Sequence, residues 1–278
     1  MKKILVPTDY SDLSGYALSL AYKMAIQGRA EIYTLKVVPV SADVFFDLNG
    51  ELADGDYDIK SIKAEELLAK NKMTVWLEKL KIPAIPIVKI GNLTDQILTC
   101  IIREEIDLVL MGTHGIKGIR ELIADSVTGQ IIRQSSVPVL SIKCDRSDLV
   151  IKNIVLASNF EEGFFSQIYF IKKLQQAYGA KIHLLRVNTS DDFKSTRILQ
   201  DRMNKFAERN ELENFEYHIY CDKDVESGIL HFSEDYRMDL IGIGVEPESL
   251  TNLFHKQIST ALVHHVYPPV LTFKILKK

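Results

Sequence analysis

Segments of this chain recur about 130–150 positions later, and that duplication narrows what the chain can fold into. "KKILVPTDYS" at Lys2–Ser11 returns as "KNIVLASNFE" at Lys152–Glu161. "GRAEIYTLKVV" from Gly28 is echoed by "GAKIHLLRVN" from Gly179, and "IREEIDLVLMG" ending at Gly112 by "FSEDYRMDLIGIG" ending at Gly244. "VPVLSIK" at Val137–Lys143 is echoed by "PPVLTFK" at Pro268–Lys274. The period is far longer than the roughly 20–50 residues of a solenoid repeat, so each copy must bury its own core. The polar stretch "CDRSD" (Cys144–Asp148) reads as the linker, which gives units 1–144 and 150–278.

Within the first copy, strands and helices alternate. "KILVPT" (Lys3–Thr8) is a short apolar strand. Leu13, Tyr16, Ala17, Leu20, Ala21 and Met24 then recur at helical spacing, with Ser11 as the expected N-cap and Gly28 as the expected stop. The strands "EIYTLKVV" (Glu31–Val38), "IPIVKI" (Ile85–Ile90), "DLVLM" (Asp107–Met111) and "VPVLSIK" follow, with helices expected in "SIKAEELLAKNKMTVWLEKL", near Leu93–Glu104 and near Ala124–Gln134. Five strands separated by helices imply βαβ crossovers and a parallel sheet covered on both faces. The near-continuous apolarity of the strands fits that covering. The expected fold is therefore α/β, with two tandem doubly wound, Rossmann-like domains of five parallel strands each.

Composition removes several classes. Hydrophobic residues make up 46% and charged residues 26%, and the net charge is −3, which offers no electrostatic footprint for nucleic acid or an anionic membrane surface. No apolar run approaches the roughly 20 residues that span a bilayer. The run Ile4–Val6 is too short for a secretory core, so a cytoplasmic location is expected. Cys100, Cys144 and Cys221 are odd in number and widely spaced, which argues against disulfides or a zinc site, and Cys100 reads as a buried helical residue.

Open parallel sheets bind ligands beyond the carboxyl ends of their strands, where the strand order reverses. In the first copy that edge gathers Pro7, Thr8, Asp9 and Ser11, then Val38, then Gly112, Gly115, Gly118 and Ser126. Glycines let backbone N–H groups face an anion, and the following helix start adds a positive dipole end. Ser126 can donate to a phosphate, Asp9 can accept from a ribose hydroxyl or an adenine amino group, and Val38 can pack on a ring. The plainer alternative is that Gly112 and Gly115 make a tight strand-to-helix connection.

"ILVPTDYS", "DLVLMGTHGIKG" and "SVTGQIIRQSSVPVLSIK" resemble the universal stress protein family, and the duplication resembles its tandem form. The resemblance implies an adenine nucleotide alpha hydrolase-like fold, with the two domains paired through their last strands. ATP-binding members carry G-x2-G-x9-G-[ST]. Gly112, Gly115 and Ser126 match it here, and Asp125 stands where the third glycine belongs. The same resemblance implies ATP or AMP as ligand. Asp9 would hold the base or ribose and Val38 would touch adenine. Gly115 and Ser126 would meet the phosphates, with Pro7, Thr8, Met111, Gly112 and Val127 completing the site.

Asp125 opposes this reading. A carboxylate ~4 Å from a phosphate repels it by about 1 kcal/mol in water-like surroundings and several times more in a cleft. It could instead share Mg²⁺ with the phosphates. The second copy has lost more of the pattern: Asn159 replaces the aspartate, Glu161 the serine, and Glu246 and Pro247 stand where His114 and Gly115 were.

His114 reads as an exposed loop residue, and His255, His264 and Glu246 have the wrong spacing for a shared metal. The acidic segment Ser41–Asp58, with Phe45 and Phe46, reads as a flap over the cleft or a partner-docking loop. Two functions follow as expectations: a nucleotide-binding sensor in the stress response, with at most slow ATP hydrolysis, or a nucleotide-free interaction module.

Overall fold

The structure is a computed structural model that describes residues 1–41, 44, 52–53, 55, 57–113, 126–161, 168–245 and 268–274. Its ten strands are β1 (Lys3–Pro7), β2 (Glu31–Val38), β3 (Ile85–Ile90), β4 (Leu108–Gly112), β5 (Val139–Ile142), β6 (Asn153–Ala157), β7 (Lys181–Asn188), β8 (Phe215–Cys221), β9 (Leu240–Val245) and β10 (Val270–Lys274). The helices described are α1 (Asp12–Gly28), α2 (Ile59–Leu80), α3 (Leu93–Arg103), α4 (Val127–Gln134), α5 (Ile168–Tyr178), α6 (Thr196–Arg209) and α7 (Val225–Asp235).

The strands form one sheet in the order β3-β2-β1-β4-β5-β10-β9-β6-β7-β8. Each half is a five-stranded parallel sheet, and the halves meet where β10 runs antiparallel to β5, with Leu271 opposite Leu140. This is the tandem, doubly wound α/β architecture expected from the alternation of elements.

Alternate strand residues separate two cores. Ile4, Val6, Leu108 and Leu110 pack with α1 on one face, and on that same face Leu156, Leu184 and Leu271 pack with α5 and α6. Leu5, Val109 and Met111 pack with α3 and α4 on the other face, where Val155, Leu185 and Val270 meet α7. The period-2 pleat sends neighbouring apolar residues to opposite layers, which is why these strands read as unbroken apolar runs. The edge strands β3 and β8 depart from that reading, since most of their residues are half-buried or exposed. An edge strand is flanked on one side only, and the lysine and glutamate that β3 and β8 carry suit such a position.

The caps follow the sequence closely at the amino ends. Ser11 caps α1 by accepting from the Ser14 N–H, Asn92 caps α3 from Asp95, and Ser126 caps α4 from Gly129. The stop of α1 differs from expectation. The helix runs through Gly28, and the left-handed residue that ends it is Arg29, at φ 52°. In the second half the corresponding turn after α5 uses Gly179 at φ +64°. A single aspartate ties the start of each half: Asp107 accepts from the N–H groups of Lys2 and Lys3, and Asp239 from those of Lys152 and Asn153.

Candidate functional site

The strand order places the reversal of the first half between β1 and β4, so the carboxyl ends of β1, β2 and β4 lie along one sheet edge. Pro7 closes β1, and Thr8 continues the ladder through its N–H to the Leu35 carbonyl at 2.9 Å. The chain then turns sharply. The Tyr10 N–H donates to Thr8 Oγ1 at 2.9 Å, the Ser11 N–H donates to Asp9 Oδ1 at 3.0 Å, and Tyr10 adopts φ 68°. Thr8 and Ser14 hydroxyls meet at 2.9 Å beneath this turn. The short polar side chains thus satisfy backbone donors that neither strand nor helix can reach.

Asp9 sits at the exposed mouth of this turn. Partial burial pushes its carboxyl pKa up, but hydrogen bonds from Ser11 and Ser14 outweigh that and hold it below its ordinary value. The group is therefore an ionised acceptor. Lys36 lies close by: burial lowers its ammonium pKa, while the Asp9 charge works in the opposite direction.

Tyr10 was not among the residues singled out from sequence, yet it organises the mouth. Its hydroxyl donates to the Ala69 carbonyl at 2.9 Å, and its ring meets Trp76 edge-on at 5.7 Å. The Lys36 and Lys72 ammonium groups stand 5.3 and 4.8 Å from its ring centroid. Burial pushes the Tyr10 phenol up to about 12, so it remains a neutral donor. The signal available in the sequence was a lysine inside the apolar strand "EIYTLKVV", facing the same edge as a tyrosine between Asp9 and Ser11.

Val38 ends β2 and is only 5% exposed, and its carbonyl accepts the Gly91 N–H at 3.0 Å. It offers little side-chain surface to a ring. Gly91 itself has φ 127°, a conformation few side chains adopt. Met111 is buried in the sheet core, and Val127 packs against the same core from α4.

Gly112 has a structural reason of its own. A Cβ there would lie 2.6 Å from Leu13 Cγ and 2.9 Å from the Leu13 carbonyl oxygen, so β4 and the first turn of α1 close only over a glycine. Ser126 caps α4, and the Thr94 hydroxyl of α3 donates to Gln130 of α4 at 2.8 Å, which joins the two helix starts. His114, Gly115, Gly118 and Asp125 lie outside the described residues, as do Phe45, Phe46, Glu246, Pro247, Glu248, His255, His264 and His265.

Three capped helix starts, those of α1, α3 and α4, thus lie at one sheet edge with an ionised carboxylate and a half-buried lysine. That combination can take a ligand with an anionic group at one end and hydrogen-bond donors at the other.

Comparison with known proteins is consistent with this architecture. Residues 1–143 match the sequence profile of the universal stress protein family. One universal stress protein of Methanocaldococcus jannaschii is 30% identical over 155 residues, covering 51% of this chain and 94% of that protein. A second from the same organism is 31% identical over 144 residues, covering 51% and 82%. The crystal structure of a universal stress protein from Archaeoglobus fulgidus superposes with a TM-score of 0.73 at 20% identity, covering 99% of this chain and 96% of that one. The described residues contain no helix long and apolar enough to cross a membrane.

Proposed function

The chain belongs to the universal stress protein family, and from that premise we propose that its first half, residues 1–144, binds an adenine nucleotide as a cytoplasmic sensor in the stress response. The reading is carried by one observation: ionised Asp9 stands with Lys36 at the switch point, where the capped starts of α1, α3 and α4 border the same edge. Asp9 would accept from the sugar or base. The α4 start, with Gly112, Gly115 and Ser126, would face the phosphates. In this reading Pro7, Thr8 and Val127 would border the ligand from the strand end and the first turn of α4, with the buried Val38 and Met111 packed behind them.

The second half, 150–278, acts in this reading as the pairing body, joined through β5 and β10. The reading is of a binder with at most slow ATP hydrolysis. Asp125 favours the second reading, a nucleotide-free interaction module acting through the acidic segment and the paired surface.

Calorimetric titration of ATP, with and without Mg²⁺, separates the two. Binding at micromolar to millimolar ATP supports the nucleotide reading. Binding that requires Mg²⁺ in wild type but not in Asp125→Gly supports a metal role for Asp125. Heat seen only with Asp125→Gly shows that this carboxylate blocks the wild-type site. Silence in both proteins at millimolar ATP leaves the interaction module.

A further inference from the structure

We propose that His183, Glu216 and His218 form a binding site for a divalent transition-metal ion of the Zn²⁺ type, at the far sheet edge of the second half. The site is independent of the nucleotide reading, and it rests on strand register. β7 and β8 run parallel with His183 opposite Glu216, so Glu216 and, two residues on, His218 share the sheet face that carries His183.

One donor atom from each of the three side chains lies within 4.8 Å of the others. His183 Nδ1 and His218 Nε2 are 3.0 Å apart, and Glu216 Oε2 is 3.9 Å from the same His218 nitrogen. Tetrahedral Zn²⁺ with Zn–N bonds of ~2.0–2.1 Å sets two nitrogens about 3.3 Å apart, so small side-chain shifts complete the geometry. Two imidazoles and a carboxylate, with a fourth position left for water, form a donor set that zinc accepts.

The surroundings orient these donors. The Asn153 side-chain oxygen Oδ1 lies 3.2 Å from His183 Nε2 and accepts its proton, which leaves the Nδ1 lone pair facing His218. Lys181 holds Glu216 Oε1 at 2.6 Å, and Oε2 remains toward the histidines. The His218 ring lies against His183, Phe232 and Tyr236, with centroids 5.2, 4.9 and 5.3 Å away. His183 is buried, while the Glu216 side chain is 51% exposed and gives an ion an entry path.

Without an ion, His218 Nε2–H donates to His183 Nδ1. When the ion binds, that proton leaves Nε2 and the ring is reprotonated at Nδ1, so the imidazole stays neutral and both facing lone pairs reach the metal.

The test is to load the full chain with Zn²⁺, dialyse it against zinc-free buffer, and measure retained zinc, affinity and melting temperature. The expected result is one zinc per chain displaced by neither Cys221→Ser nor substitution of His114, a raised melting temperature, loss of that ion in His218→Gln, and at least tenfold weaker binding in Glu216→Gln. Glu216 is exposed, so its variant keeps the test valid if His218→Gln folds poorly. Failure to retain zinc overturns the proposal. So does an affinity unchanged in Glu216→Gln, or zinc that follows Cys221 or His114.

Discussion

Thr8-Asp9-Tyr10-Ser11 and Ser158-Asn159-Phe160-Glu161 are one turn built twice with different side chains. In each, the third residue is left-handed, at φ 68° for Tyr10 and 52° for Phe160. In each, its N–H donates to the hydroxyl two residues back, and the fourth N–H donates to the second residue's side-chain oxygen. The backbone therefore asks only for a hydroxyl and an Asx oxygen. What surrounds the turn differs sharply. Tyr10 keeps its hydroxyl on the Ala69 carbonyl and its ring among lysines. Phe160 is 4% exposed and packs edge-on against Phe206 of α6 at 5.1 Å. Glu161 is paired with Arg202 at 3.0 Å, and Asn188, in the place of Val38, exchanges two hydrogen bonds with the Lys194 backbone. A duplicated fold has kept its turn while one copy's mouth has been filled by packing and ion pairs and the other's has stayed polar.

The largest expected break in this comparison is Phe160→Ala. Removing a buried ring costs about 3–4 kcal/mol, transfer and cavity together. Tyr10→Ala at the equivalent place should cost less, about 2 kcal/mol, because its ring is only half-buried and loses a single hydroxyl bond. Urea unfolding of both variants checks this. Equal losses would mean that Tyr10 plugs the first mouth as fully as Phe160 plugs the second, and the first cleft would then be closed to a ligand.

These turns also show how far the sequence could be read. Ser11 was legible as a cap because capping needs only local spacing, while Ser126 was legible as a site residue and the cap it forms on α4 was not. The doubled alternation of strands and helices was legible because each copy must bury both faces of its sheet. Tyr10 was not, since its importance comes from Ala69, Trp76 and Lys72 on α2, some 60 positions away along the chain. His183 and Glu216 were missed for the same reason: they face each other only through the β7–β8 register, which spacing along the chain does not encode. Gly112 was noticed as a phosphate-loop glycine, and the Leu13 backbone against it supplies a packing reason that no motif displays.

A smaller effect is expected at the helix stops, where the two halves again solve one problem with different residues. A left-handed conformation costs a non-glycine residue about 1–2 kcal/mol, partly recovered through the lower unfolded-state entropy of the side-chain-bearing residue. Arg29→Gly should therefore gain up to about 1 kcal/mol, and Gly179→Arg should lose a similar amount. A Cβ at Gly179 meets nothing within 4 Å, so the second loss isolates backbone conformation from packing. Thermal melts of the pair would separate the two causes. A stabilised Gly179→Arg variant would mean that the φ of this position is not what the turn requires.

The smallest effect tests the turn itself. The second copy already holds its turn with Asn159, so Asp9→Asn should preserve the fold, with a stability change within about 0.5 kcal/mol at pH 7 after solvent screening. The pH dependence carries the information. Asp9 has a folded pKa held below its ordinary 3.8, so its ionised form contributes stability above that value and loses it as pH falls through the lower folded value. The asparagine has no such proton to gain. The stability gap between wild type and Asp9→Asn should thus be small and steady from neutral pH to about pH 5, then shift against wild type as acid protonates Asp9. A gap that stays flat down to pH 3 would show that the Ser11 and Ser14 donors do not favour the charge. In that case the first copy's turn would differ from the second's only in side-chain identity, and its hydroxyl donors would add nothing to the charge that Asp9 carries at neutral pH.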